Sequence, residues 1–316
     1  MADEIQNPHD KLVHAVLGDM ASATSFLQLH LPQALRETLN WPTLKRLEAS
    51  FVDEALRSSE ADLLYEVEQV SGEDSVWLYV LLEHQSSVDS WLRLRLLKYC
   101  CRIWEMQLGT EPRPQVLRAI VPLVFYQGER PWSPSTEFAD LFAEPVRDWP
   151  WVPHFSHELI DQSGLSVESV QGEVKVRIMQ LLLLAAYHRA EGWMERVAEL
   201  WLALSESTPS GGLNYLQVFV LYVLSTQDRE EVSAFGEVLR RYGTGGEVMS
   251  YAQELLAEGR AEGRVEGRAE GKMRAEVEMI ESFLREGVGW AVIERATGLD
   301  KAQFEALKQQ VEALNG

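Results

Sequence analysis

The chain has 316 residues, 46% of them hydrophobic, and a formal net charge of −20. That apolar content excludes a disordered chain, and the length points to two domains or one domain with appendages. A charge this negative weighs against wholesale phosphate binding, which rests on lysine and arginine displacing counterions, so any nucleic-acid contact has to be local. The only cysteines, Cys100 and Cys101, are neighbours that cannot readily bridge to each other, and this indicates a reducing, cytoplasmic setting. The acidic, polar start Met1–Asp10 lacks the basic and apolar regions of a secretory signal. The longest apolar run, Ile178–Tyr187, is well short of the ~20 residues that a membrane span needs, so no membrane partner is expected.

In chain order, His9–Leu17 and Ser22–Leu31 read as short helices, the second closed by Pro32, with a further helical stretch to Asn40. From Ala49 the pattern turns extended. Asp62–Val70, a Ser71-Gly72-Glu73-Asp74 turn signal and Val76–Gln85 predict a hairpin within a small sheet. Trp91–Leu108 follows as a helix whose stretch to Gln107 carries Arg93, Arg95, Lys98 and Arg102 against one acid, Glu105, and so predicts a basic helix on an acidic body. Arg118–Tyr126 (RAIVPLVFY) is the near-continuous apolar run of a strand covered on both faces. Beyond Trp151 the pattern is helical to the end, at Glu173–His188, Gly192–Ser205, Leu213–Ser225 and Glu230–Tyr242, with no strand predicted. Glu258–Lys272 repeats EGR-type tetrads with glycine at every fourth position and reads as a solvated linker, or as a helix with a glycine stripe. Trp290–Ala296 and Lys301–Leu314, joined through Thr297-Gly298-Leu299, suggest a helix-turn-helix-like pair.

The hairpin carries the chemistry. A register symmetric about Gly72 and Glu73 pairs Leu63 with Leu82, Leu64 with Leu81, Tyr65 with Val80 and Val67 with Leu78, and sets Asp62 directly opposite Glu83. Directly opposed residues have Cβ atoms ~4.5 to 5.5 Å apart, close enough for two carboxylates to share one divalent ion; without a cation the like charges repel. Gln85, two residues beyond Glu83, points to the same face, while His84 points away. Hard oxygen donors of this kind suit magnesium, manganese or calcium, and hydrolysis of a phosphodiester is the natural chemistry. The alternative for the same residues is a pair of solvated strand caps.

The segments NPHDKLVHAVL, FVDEALRSSEADLLYEV, VLLEHQSS, LRLLKYCCRIWE and PLVFYQGERPW, together with the EGR-type repeat, resemble the Rpn family of recombination-promoting nucleases, also labelled transposases, within the PD-(D/E)XK superfamily. The resemblance implies an α/β fold with a restriction-endonuclease-like core, its small mixed sheet flanked by helices, followed by an all-α C-terminal region. It implies a core over 1–165, a helical region over 166–250, the repeat over 251–275 and a helical tail over 276–316. Asp62 takes the place of the motif aspartate, and Glu83 and Gln85 take the (D/E)XK positions, with glutamine where the superfamily has lysine. Asp10 of the first helix becomes a candidate further contact to the metal. The implied activity is metal-dependent DNA endonucleolysis linked to recombination, with a catalytically weak DNA- or protein-binding module as the alternative and an RNase H-like transposase ranked last.

Tyr99 and Arg102, three apart on the basic helix, are candidates for the DNA backbone together with Arg95 and Lys98, although Tyr99 packing and Arg102 solvated is an equal reading. His154 and His157 have an H-x-x-H spacing, but no further ligand is spaced to complete a zinc site. No Walker loop, G-x-S-x-G elbow or G-x-G-x-x-G motif is present, which leaves NTPase, elbow-hydrolase and dinucleotide readings without support. In Trp290–Gly316 the bases Arg295, Lys301 and Lys308 are outnumbered by Glu294, Asp300, Glu305 and Glu312, which favours contacts between copies of the chain over DNA.

Overall fold

The computed structural model describes residues 7–47, 63–72, 75–83, 89–110, 114–128, 130–188, 191–207, 212–243, 273, 277–282, 284–285 and 289–313. They divide into two compact units, Ile5–Ser250 and one made largely of Tyr251–Gly316. Among the described residues no helix is long and apolar enough to cross a membrane.

The first unit opens with α1 (Pro8–Leu17) and α2 (Met20–His30). Pro8 stands at the start of α1, where its missing N–H costs nothing, and Asp19 caps α2 by accepting from the Ser22 backbone N–H. A short α3 (Gln33–Arg36) leads to β1 (Lys45–Arg46), and β2 (Leu63–Glu68) and β3 (Ser75–Glu83) form the predicted hairpin. The basic helix is α4 (Leu92–Leu108), followed by β4 (Ile120–Tyr126). The sheet order is β1-β2-β3-β4-β5, antiparallel up to β3 and parallel from β3 onward, so α4 is the crossover between two parallel neighbours. This is the mixed α/β, PD-(D/E)XK-like architecture that the resemblance implies.

Two expectations are corrected. The fifth strand, β5 (Glu158–Asp161), lies in the region read as wholly helical; it pairs in parallel with β4 through Val124–Leu159 and Phe125–Ile160. The hairpin register differs by two residues: Leu63 pairs with Val80, Leu64 with Tyr79, Tyr65 with Leu78 and Val67 with Val76. The cause is the turn. Gly72 adopts a left-handed conformation (φ 74°) and its N–H closes on the Gln69 carbonyl at 2.9 Å, which moves the centre of symmetry to Ser71–Gly72. The direct opposition of Asp62 to Glu83 rested on the other register, and Asp62 itself lies outside the described residues. An offset of two keeps every residue of β2 on its predicted face.

Apolar residues occupy both faces of the sheet. On one, Leu64, Trp77, Tyr79, Leu81, Val124 and Tyr126 pack against Leu92, Leu96 and Ile103 of α4. On the other, Phe125 meets Phe26 of α2 edge to face at 5.0 Å, and the buried Tyr65 hydroxyl donates to the Leu17 carbonyl at the end of α1. Leu123, Val124 and Phe125 are fully buried, as a strand sandwiched between layers requires. Helices α5 (Val174–His188), α6 (Trp193–Ser207), α7 (Gly212–Thr226) and α8 (Arg229–Arg241) complete this unit. Helix α1 packs on α5 and α7, where the Tyr222 hydroxyl hydrogen-bonds His9 Nδ1 at 2.7 Å. In the second unit α9 (Trp290–Thr297) ends at Gly298 in the left-handed conformation (φ 74°) and α10 (Lys301–Ala313) follows. Phe304, Ile280 and Val311 form its small core, and Lys308 pairs with Glu281.

Burial disfavours the charged form of His30. His30, on α2 against Phe26 and Gln180, has its pKa pushed down to about 4 by desolvation. Its unfolded value is about 6.5, so below that pH the unfolded chain binds the extra proton and folding stability falls as the pH drops towards 4. The loss reaches up to about 3 kcal/mol. Urea midpoints of wild type and His30→Gln, measured from pH 7 to pH 4, are expected to converge on acidification.

Candidate active site

The candidate site lies at the carboxyl ends of the parallel strands. Glu83 closes β3 in register with Tyr126 of β4, and Tyr126 is in register with Asp161 of β5, so three strand ends align along one edge of the sheet. Open α/β sheets bind ligands at this kind of edge. Asp62, Gln85 and His84 lie outside the described residues, and of Glu83 the strand position is what is described. Asp62 is the sequence neighbour that immediately precedes Leu63, the first residue of β2.

Asp161 is committed to holding this edge together. Its Oδ2 accepts the Trp132 backbone N–H and its Oδ1 that of Ser163, both at 2.9 Å. Trp132 packs edge to face on Tyr126, whose hydroxyl donates to the Arg130 carbonyl. At Gly128 a Cβ would run into the Tyr126 hydroxyl, so the glycine of the FYQG segment is favoured by a close approach. None of these supports followed from periodicity; their signal was that FYQGERPW stood out as a motif.

Asp10 is buried on α1, 6% exposed. One turn further along the same helix His14 contacts Arg46 of β1, the residue paired with Tyr65. On α4 the four residues expected at DNA separate. Lys98 is exposed, Arg102 and Arg95 are half-buried, and Arg95 reaches Asp89 at 3.6 Å. Tyr99 turns to the sheet and meets Tyr79 edge to face at 5.9 Å, which favours its packing reading. The far end of α4 fixes the entry to β4: the buried Gln107 amide donates to the Val116 carbonyl and accepts the Arg118 N–H, and Arg118 pairs with Glu66 at 2.8 Å over the Trp77 ring.

The H-x-x-H histidines do not act together. His154 is exposed, whereas His157 is buried edge-on to Trp132, its pKa pushed down to about 4 by burial and by the nearby Arg93. Among the described residues no group of three or more histidine, cysteine, aspartate or glutamate side chains is placed to hold a metal.

A model of the family described as "Putative transposase, YhgA-like" matches residues 7–210. The chain belongs to this family. It is similar to recombination-promoting nuclease RpnC of Escherichia coli (strain K12), with 31% identity over 248 residues, covering 77% of this chain and 78% of the relative. Recombination-promoting nuclease RpnA of the same strain is 29% identical over 308 residues, covering 96% and 97%. A third relative, 33% identical over 140 residues and covering 44% of this chain and 46% of its own, bears the name "Inactive recombination-promoting nuclease-like protein RpnE". No solved structure matches.

Proposed function

We propose that the chain is a divalent-metal-dependent DNA endonuclease acting in recombination, with Asp62 and Glu83 as metal ligands and Gln85 beside them. The observation that carries this reading is the place of Glu83, at the carboxyl end of the central strand where the hairpin meets the parallel crossover, in a family whose relatives are named nucleases. A bound magnesium, manganese or calcium ion lowers the pKa of a water ligand and neutralises charge on the scissile phosphate. The two carboxylates hold the cation, Asp10 is a candidate further acid, and Gln85 orients water through its amide without the positive charge that a lysine supplies. Loss of that charge, the −20 balance and the relative named inactive favour a second reading, a weakly catalytic binding module. Incubation of supercoiled plasmid with each metal or with EDTA decides between them. Cleavage in metal that EDTA abolishes supports the nuclease, and intact plasmid under every metal supports the module.

The DNA backbone is expected along α4, where Lys98 is exposed and Arg102 is half-buried beside the packed side. Substituting either by glutamine should weaken duplex binding about equally for all sequences and lower the slope of log K against log salt by about 1. A slope unchanged in both variants would move the contact off this helix. Contacts between copies through α9 and α10, and a cytoplasmic location, belong to the same reading.

A further inference from the structure

Between β4 and β5 the chain presents two tryptophans to solvent: Trp149 is 50% and Trp151 83% exposed, their rings edge to face at 6.2 Å. A tryptophan that open is unusual for so large an apolar side chain. The segment is pinned rather than loose. The Val152 N–H closes a turn onto the Trp149 carbonyl at 3.0 Å, and the Arg147 guanidinium spans Asp140 at 2.6 Å, Glu144 at 3.5 Å and Asp148 at 3.6 Å. A turn closed by its own backbone hydrogen bond leaves less backbone conformational entropy for binding to remove.

The charge around the rings selects the occupant. Arg147, the one cation in the sequence from Glu137 to Trp151, is shared among three carboxylates, and Arg93 of α4 reaches the segment at the Glu137 carbonyl (2.8 Å), so four acids (Glu137, Asp140, Glu144 and Asp148) against two cations leave it negative by two. Phosphate is repelled by such a surface, while guanidinium and ammonium groups are attracted both by the carboxylates and by the faces of indole rings. We propose that the Trp149–Trp151 turn is a docking surface for a cationic, arginine- or lysine-rich peptide segment of a partner protein. This surface is independent of the nuclease reading.

The test is fluorescence polarisation of a labelled hexa-arginine peptide with the full chain, in parallel with labelled oligothymidine. Because Trp149→Ala with Trp151→Ala leaves the charge untouched, non-specific attraction to the acidic body cancels between wild type and variant. The double variant is expected to bind the peptide about ten-fold more weakly, a few-fold for each ring, with an unchanged melting temperature because both side chains are exposed. Binding should also weaken from 50 to 500 mM salt. Equal peptide affinity in wild type and double variant overturns the proposal, as does the absence of peptide binding to wild type. Oligothymidine binding that depends on the two tryptophans, without peptide binding that does, also overturns it and makes the turn a base-stacking platform.

Discussion

Glu83→Gln is expected to lower plasmid cleavage by about 10²- to 10³-fold, the size of effect seen when one preorganised electrostatic contact is removed from a hydrolytic site. The substitution keeps shape and hydrogen-bonding capacity and removes one negative charge from the cation's ligands. If Asp62 and Glu83 share a cation, they repel each other when it is absent, so the variant should melt in EDTA at the same or a higher temperature than wild type. Magnesium or manganese should raise the wild-type melting temperature by mass action and leave that of the variant almost unmoved. Asp62→Ala should behave alike in both measurements. Undiminished cleavage by Glu83→Gln would move the site elsewhere on the sheet edge, whereas loss of cleavage with an intact metal-induced shift would mean that Glu83 acts on the substrate and not on the cation.

What could be read from the sequence follows the distinction between local and non-local physics. The long helices from Trp91 and from Glu173 onward declare themselves through apolar spacing, and α5 begins and ends within a residue of its predicted bounds. Strand β4 was legible because burial on both faces leaves an unbroken apolar run. Strand β5 was not: four residues with acids at both ends, Glu158 and Asp161, carry almost no pattern, and it is a strand because β4 offers a free parallel edge. The register was misplaced by two because the sequence shows which residues turn but not where the left-handed glycine sits within the turn, a choice settled by the Gly72–Gln69 hydrogen bond. For the candidate site, motif resemblance points to Asp62, Glu83 and Gln85, and the symmetric pairing is no independent support, because the hairpin adopts another register. The orientation of Tyr99 was open because helical spacing gives a residue's angle around the axis and not which side the sheet covers.

A chain ending after residue 165 is expected not to fold, although the nuclease-like sheet is complete by Asp161. The missing part is the cover for the first helices. Helix α1 buries Leu12, Val13 and Val16 completely and packs on both α5 and α7, while α2 also meets α5, and α5 itself buries seven large apolar side chains between Val176 and Leu184. Fully burying one such side chain contributes roughly 1.5 to 3 kcal/mol, so the seven together contribute a gross burial of more than about 10 kcal/mol, which the entropy of ordering α5 partly offsets. The partly buried Lys175–Asp19 contact at 2.7 Å, which reaches from α5 to the cap of α2, would be lost as well. Circular dichroism and limited proteolysis of the 1–165 fragment should show an unfolded, rapidly cut chain, whereas a fragment ending at residue 250 keeps the first unit whole and should melt cooperatively. Cooperative folding of 1–165 would mean that the helices after β5 form a separate layer, and that the packing of α1 on α7 contributes little to the stability of the sheet.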